Sequence, residues 1–241
     1  MATRDKSTAL RQQFGRSVAN LSFGMMQHSL QAAQKVGVDM LHTARSFDYY
    51  RKIFYHNQSR GRVLRQLQGK RIVDVGCGYT PYARDSMFRA CHDAGLDFYG
   101  VDPRIEPEMA FTFRDRALAR ATGGSGCFSN RPPGVSRALS GTAQALPFDT
   151  SSIDEIVCGY LLYVWIEDEK TLAEIFEEFH RVLRPGGIAR LFPLPDWQLV
   201  RAQGSRLRKI QSRFSIEQSF VPAGYRPRVM AAMLTEMTKA A

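Results

Sequence analysis

The stretch Arg71-Ile72-Val73-Asp74-Val75-Gly76-Cys77-Gly78-Tyr79-Thr80-Pro81 constrains the fold more than any other part of this chain. A short β-branched run reads as a buried strand, and the two glycines after it let the backbone turn tightly and approach a ligand closely. Thr80 suits a helix cap and Pro81 a first helical position. Such a strand-to-helix turn presents backbone N–H groups and a positive helix end to a polar ligand. The next strand, Phe98–Val101, ends at Asp102, where a carboxylate can accept both hydroxyls of a ribose. The pair points to a nucleoside-containing cofactor. A nicotinamide dinucleotide fits less well, because its turn wants a third glycine where Pro81 stands.

The remaining pattern alternates strands and helices. Helices are expected over 7–36, with an apolar stripe of Leu10, Phe14, Val18, Leu21 and Met25, and over 39–56, with Asp39 as cap. The second carries an aromatic cluster of Phe47, Tyr49, Tyr50, Phe54, Tyr55 and His56. A short helix over 62–68 stops at Gly69, and another is expected over 81–94. Residues 103–140 read as irregular. A buried strand over Ile153–Leu162 precedes an amphipathic helix over 167–183, which presents Leu172, Ile175, Phe176, Phe179 and Leu183 and stops at Arg184-Pro185-Gly186-Gly187. Strand Ile188–Leu194, a basic helix over 197–212, and a hairpin of Phe214–Val221 with Arg228–Met237 close the chain. This order implies an α/β fold with a mostly parallel, doubly wound sheet covered on both faces.

Composition excludes several classes. With 241 residues, 44% hydrophobic and 23% charged, the chain can bury a sizeable core and is neither disordered nor fibrous. No run of about 18 apolar residues predicts a membrane span, and no apolar stretch near the amino terminus predicts export. Cys77, Cys91, Cys127 and Cys158 lie far apart, so neither a metal site nor a disulfide framework is expected, and a reduced cytoplasmic setting fits. The net charge of +10 is uneven: residues 1–70 carry twelve Lys or Arg against three Asp or Glu, and residues 151–185 carry three against eight. Basic ends suit an anionic partner, nucleic acid included, or simply a solvated surface. The first 20 residues also have the basic composition of a mitochondrial transit peptide, although Asp5 interrupts it.

Four stretches taken together, VDVGCG (73–78), YGVDPR (99–104), GTAQALPF (141–148) and VLRPGG (182–187), resemble the class I, seven-stranded S-adenosylmethionine-dependent methyltransferases, and within them the small type-11 group. The resemblance spans about residues 63–238 and implies a Rossmann-like, seven-stranded sheet with a C-terminal antiparallel hairpin. It implies S-adenosylmethionine as cofactor, S-adenosylhomocysteine as product, and methyl transfer to an acceptor. By position, Asp74, Gly76, Cys77 and Gly78 would line the methionine part of the cofactor. Asp102 would bind the ribose, with Pro103 and Arg104 beside the adenine. Thr142 and Ala143 would meet the adenine, and Gly159 and Tyr160 would lie close to the sulfonium. The chain departs from the family at Thr80, the usual third glycine; at Thr142, often an acid; and at Tyr163, often a histidine. Residues 105–140 are an insertion relative to the family.

On this basis residues 1–68 are expected to form an N-terminal helical lid over the substrate, and residues 69–241 the cofactor-binding domain. Tyr163 and His56 are the candidate catalytic bases, with Tyr49, Tyr50 and Tyr163 lining the substrate pocket. His180, inside the amphipathic helix, is expected to be structural. The expected reaction is O-, N- or C-methylation of a small hydrophobic or aromatic molecule. Methylation of RNA or nucleoprotein by way of the basic termini ranks second, and a non-catalytic scaffold that kept the fold third. The N-terminal helices offer a surface for a homodimer or a partner protein.

Overall fold

The computed structural model describes residues 2–35, 43–121, 124–194, 206–221 and 232–240. The glycine turn closes strand β1 (Arg71–Val75) in the middle of a seven-stranded sheet. Strand β2 (Asp97–Val101) lies parallel on one side of β1, and β3 (Ala138–Leu139) continues outward. Strands β4 (Ile153–Gly159) and β5 (Leu183–Leu194) extend the sheet parallel on the other side. Strands β6 (Phe214–Val221) and β7 (Ala232–Lys239) add an antiparallel pair, giving the order β3-β2-β1-β4-β5-β7-β6. This is the doubly wound sheet with a C-terminal hairpin that the sequence implies. The chain builds outward from β1 to β3 and then crosses back to β4, so the C-terminal ends of β1 and β4 flank the switch point where such sheets bind ligands.

The central strands are buried on both faces, which is why Ile72-Val73-Asp74-Val75 and Ile153–Gly159 read as nearly continuous apolar runs. On one face, Phe88, Phe98, Val157 and Phe192 pack with helices α2 (Phe47–Ile53), α3 (Arg60–Gln66) and α4 (Met87–Asp93). On the other, Ile156, Leu191, Phe176 and Phe179 pack with α6 (Glu169–Val182) and α7 (Arg206–Gln211), and Phe23 joins from α1 (Ala2–Lys35). Asp168 caps α6 by accepting the Thr171 N–H at 2.8 Å.

Several expected elements differ from those observed. The apolar stripe of α1 points outward: Phe14, Leu21 and Met25 are 72%, 68% and 58% exposed. The neighbouring face, with Ala19 and Phe23, is the buried one, and Gly15 lets the helix sit on the Phe220 ring. Periodicity finds a stripe but not which face meets the sheet. Among the described residues of the expected helix over 39–56, Phe47–Ile53 are helical and capped by Ser46; Asp39 lies outside the described residues. The expected helix over 81–94 is a three-residue 3-10 turn at Thr80–Tyr82 followed by α4, whose cap is Ser86. The stretch read as irregular holds α5 (Phe113–Ala121) and β3. Of the basic helix expected over 197–212, residues 206–212 are described and Arg206–Gln211 are helical, and the hairpin turn at Pro222-Ala223-Gly224 lies outside the described residues.

Candidate functional site

The site is built on the turn after β1. Gly76 (φ +70°) donates its N–H to the Val101 carbonyl at 2.9 Å, which ties the turn to β2. Gly78 (φ +54°) donates to Asp102 Oδ2 at 3.0 Å, and Asp102 Oδ1 accepts the Arg104 N–H at 3.1 Å. Asp102, 5% exposed, thus sits directly under the turn at the end of β2. Cys77 points into the core against Gly100, and burial pushes its thiol well above the usual range. The expectation that the turn offers free N–H groups needs correction. Tyr79 N–H donates to the Thr43 carbonyl and Thr80 N–H to the Cys77 carbonyl, so the N–H groups from residue 76 to 80 are all bonded within the chain. The turn therefore meets a ligand through its shape and its neighbours.

The neighbour that matters most is the extended segment 43–46. A Cβ on Gly78 would stand 2.6 Å from the Thr43 carbonyl oxygen, so only glycine allows this approach. Thr80, which replaces the usual third glycine, is fully buried, and its Oγ1 accepts the Arg45 N–H at 3.3 Å. Phe47 N–H to the Asp85 carbonyl at 2.7 Å and a Ser46–Ser86 bridge fasten the far end. Thr80 is thus a clasp for the segment that leads into α2.

That segment and α2 carry the charged and aromatic groups of the site. The Tyr50 hydroxyl donates to Asp74 Oδ2. Burial raises the Asp74 carboxyl to about 7, against the opposing pull of the Tyr50 hydrogen bond and of Arg45. Burial, reinforced by Asp74, holds Tyr50 far above its usual range, so its hydroxyl stays a donor. The Arg45 guanidinium lies 4.9 Å from the centre of the Tyr160 ring and 5.3 Å from that of Tyr49, a double cation–π arrangement. Burial alone would favour its neutral form, but Tyr49, Tyr50, Tyr160 and Asp74 more than offset that and keep it charged. Tyr160 (φ +58°) leaves β4 with its N–H on the Phe192 carbonyl at 2.7 Å and its ring edge-on to Phe192. Burial raises its phenol, with Arg45 pulling the other way. A Cβ on Gly159 would lie 3.5 Å from Phe54 and 3.9 Å from Arg45, and one on Gly76 would lie 3.1 Å from Leu161. Arg45, Gly76, Tyr79, Tyr160 and Leu161 are partly exposed within otherwise buried surroundings, and we take the surface they share over the strand ends as the candidate cleft.

The other residues singled out from sequence fall around this cleft or away from it. Ala143 is buried and Thr142 exposed, in a turn closed by Ala145 N–H on the Thr142 carbonyl. Pro103 is exposed, with its carbonyl accepting the Ser140 hydroxyl at 3.4 Å. Tyr163 packs in the opposite layer with Phe23, Leu207 and Ile210. Its carbonyl accepts Gln27 Nε2 at 3.2 Å, and burial raises its phenol despite the facing Gln211. His56 stands beyond the far end of α2, with Nε2 3.6 Å from Glu236 of β7, and burial and Arg190 lower its pKa. It borders a buried charge network in which Arg190 Nε meets Glu155 at 2.8 Å and Arg190 also pairs with Glu236. The structure brings Tyr49, Tyr50 and Tyr160 together with Asp74 and leaves Tyr163 and His56 apart from them. Arg45 and the clasp role of Thr80 escaped sequence reading, because residue 45 was placed inside a helix.

The insertion lies beside the same turn. Phe111 stacks on Phe128 at 4.2 Å and meets Tyr79 and Tyr82 edge-on or tilted at 5.4 Å. Ser125 Oγ donates to Asp85 at 2.9 Å, and Gly124 passes close to the Ala44 carbonyl.

Residues 73–191 match a family model described as a methyltransferase domain. Among curated proteins the chain is 32% identical over 120 residues to the biotin biosynthesis bifunctional protein BioHC of Saccharophagus degradans, covering 50% of this chain and 17% of that protein. It is 25% identical over 175 residues to the sterol 24-C-methyltransferase ERG6A of Gibberella zeae, covering 70% and 39%. It is 30% identical over 118 residues to an uncharacterized methyltransferase of Mycobacterium bovis, covering 49% and 37%. The chain thus spans well under half the length of these relatives. Among solved structures, a SAM-dependent methyltransferase from Methanosarcina mazei superposes with a TM-score of 0.45 at 18% identity, over 74% of this chain and 97% of that one.

Proposed function

The chain belongs to the class I S-adenosylmethionine-dependent methyltransferases through its residues 73–191, and from that premise we propose that it methylates a small-molecule acceptor held over the strand ends. The residues present fit the cofactor. Asp102 lies under the glycine turn where a ribose would rest, Ala143 is an apolar neighbour for an adenine, and Tyr160 with Tyr49 offers aromatic faces to a cation. The bound cofactor supplies a methyl group on a positively charged sulfur. The chain supplies alignment, which can contribute several kcal/mol to such a displacement.

The observation that carries the small-molecule reading is the cover over the turn. Segment 43–46 and α2 pack on the strand ends with Tyr49, Tyr50 and Phe54 buried, so an acceptor would reach the cleft through a narrow aromatic mouth. Of the described residues in 1–68, expected as a lid, only segment 43–46 and α2 cover the turn, while α1 packs on the other face against β6 and β7. We assign that segment and α2 as the lid and residues 69–241 as the cofactor-binding domain, with Tyr49, Tyr160 and Leu161 as the pocket wall. A lid of this kind excludes water from the reaction. Tyr163 and His56 receive no part in this scheme, because their contacts are with the opposite layer and with Glu236. Among the described residues no helix is long and apolar enough to cross a membrane.

Calorimetric titration with S-adenosylhomocysteine, with Asp102→Ala alongside, tests the cofactor site. Saturable binding that the variant loses supports it, and no binding by the wild type refutes it. Methyl transfer from a labelled donor into a metabolite mixture but not into RNA would then support the acceptor class.

A further inference from the structure

Helix α1 is apolar on two opposite faces. Ala19 and Phe23 are buried on one side, with Met26 and Leu30 packed against the same core. Phe14, Leu21 and Met25 stand exposed on the other. Among the described residues five large apolar side chains are exposed, and four of them, these three and Phe220 against Gly15, belong to this one surface. An ordinary surface helix has a single apolar stripe, so a second stripe calls for a second body. The outward stripe runs Phe14, Val18, Leu21, Met25, His28, Ala32, in steps of four and three. This is the heptad seam of a helix that packs along another helix, about 27 Å long at about 1.5 Å per residue. The flanking positions, Gly15, Ser17, Ser22, Gly24, Ser29 and Gln31, are all small or uncharged. A Cβ on Gly24 would meet nothing within 4 Å, so another backbone can come close there. Residues 17–34 contain no Lys, Arg, Asp or Glu. A helix that lies on a lipid surface is flanked by Lys and Arg, whereas the centre of a protein interface is depleted of charge.

We infer that the outward stripe of α1 pairs antiparallel with the same helix of a second copy of this chain. The two ends of the helix supply the orientation. Residues 2–16 carry four Lys or Arg against one Asp. At the other end Gln31 Nε2 donates to both carboxylate oxygens of Glu167, at 3.1 and 3.2 Å, which sets the exposed run Glu167-Asp168-Glu169 beside the helix. An antiparallel pair places each basic end against the other copy's acidic run, while a parallel pair places basic against basic. Centred on residue 23, the pair also sets Phe14 over Ala32, Val18 over His28 and Leu21 over Met25, so the bulkiest side chain of the seam meets the smallest at either end. Such a contact is isologous and closes at two copies. Uncharged flanks let a chain of net charge +10 meet itself there without repulsion at the seam. Helix α1 packs on the face of the sheet away from segment 43–46 and α2, so the pairing is separate from the cleft and from the methyl-transfer reading.

Sedimentation equilibrium of the full chain tests the pairing. One helix pair of this length is a small interface, so a dissociation constant of about 1–100 μM is expected for a monomer of 27.2 kDa. Added salt should weaken the pair, because its ends are exposed charges. Leu21→Lys puts a charge into the seam and should weaken association at least about tenfold. In the double variant Leu21→Lys with Met25→Glu, each new ammonium faces a new carboxylate on the other copy, and association should return in part. A parallel pair would set like charges together instead. Gln13→Lys, exposed and off the seam, should leave association unchanged. Leu21 is largely exposed in the single chain, so the melting temperature of dilute samples should hold in every variant. Wild type that stays monomeric up to about 200 μM overturns the inference. Association that Leu21→Lys leaves intact overturns it too, because the contact then lies elsewhere. A double variant no stronger than Leu21→Lys overturns the antiparallel register. Monomeric wild type that co-sediments with phosphatidylserine vesicles gives the stripe to a lipid surface and overturns the pairing as well.

Discussion

Asp74 gives the sharpest quantitative expectation. In the ligand-free protein burial holds its carboxyl at about 7. If the amino-acid end of the cofactor sits against Asp74, as the family resemblance implies, its ammonium favours the ionised form, so binding below pH 7 must expel the proton first. If the bound carboxyl returns to an ordinary range near 4, the dissociation constant for S-adenosylhomocysteine scales as one plus ten to the power of seven minus pH. That makes binding about tenfold weaker at pH 6 than at pH 8, or about 1.4 kcal/mol. At pH 6.5 about 0.8 proton should leave per ligand bound, by the same titration. Calorimetry in two buffers of different ionisation enthalpy counts that proton directly. Asp74→Asn should bind more weakly at pH 8 and show no slope between pH 6 and 8. A wild-type affinity that is flat over this range, or a slope that survives in Asp74→Asn, refutes the reasoning. The same shift has a consequence for the ligand-free fold. Between about pH 4 and pH 7 the native state keeps a proton that the unfolded chain has released, so stability falls as pH rises through that window. The loss is at most about 4 kcal/mol, and it levels off above pH 7. Asp74→Asn removes this loss, so its melting temperature should exceed that of wild type at pH 8 and approach it at pH 4.

Other perturbations probe the scaffold. Asp102→Ala removes the acceptor of the Gly78 and Arg104 N–H groups; it should cost about 1–3 kcal/mol in urea unfolding besides abolishing S-adenosylhomocysteine binding. Gly78→Ala places a methyl against the Thr43 carbonyl at a positive φ; a loss of at least about 1–2 kcal/mol is expected, with S-adenosylhomocysteine binding weakened as segment 43–46 shifts. Glu155→Ala leaves Arg190 buried with Glu236 as its one remaining carboxylate partner among the described residues; about 3–5 kcal/mol should be lost in denaturant melts, with little change in the pH slope of binding. Phe176→Ala opens a cavity beneath α6, where the side chain is wholly buried; about 3–5 kcal/mol is expected by thermal or urea unfolding.

The strands and the glycine turn were legible in sequence because their causes are local. Ile72-Val73-Asp74-Val75 and Ile153–Gly159 are apolar runs of strand length bounded by turns, and only a buried sheet accommodates them. Gly76 and Gly78 mark a backbone that turns with positive φ, and Asp102 marks the end of the next strand. Helix α6 was legible for the same reason, with Leu172, Ile175, Phe176 and Phe179 on one face and Asp168 at its head. The boundaries of α2 and α4 were not, because the caps Ser46 and Ser86 also bridge to one another, and that pairing joins residues distant in the chain.

The remaining features depend on distant residues meeting. The stripe of Phe14, Leu21 and Met25 has helical spacing, but Gly15 against Phe220 and Phe23 in the core decide which face docks. Tyr160 and Tyr163 stand close in the chain and both have positive φ after β4, yet Tyr160 meets Arg45 and Phe192 while Tyr163 is buried with Phe23, Leu207 and Ile210. His56 belongs to a candidate aromatic cluster in sequence and to a Glu236 contact in space. The sequence by itself determined the α/β class, the sheet and the glycine turn after its first strand, since hydrophobic period and glycine turns act over a few residues. Only the tertiary structure decided that Arg45 enters the cleft, that Thr80 clasps it and that Asp74 is buried beneath Tyr50, because burial and charge pairing belong to the neighbours a residue acquires on folding.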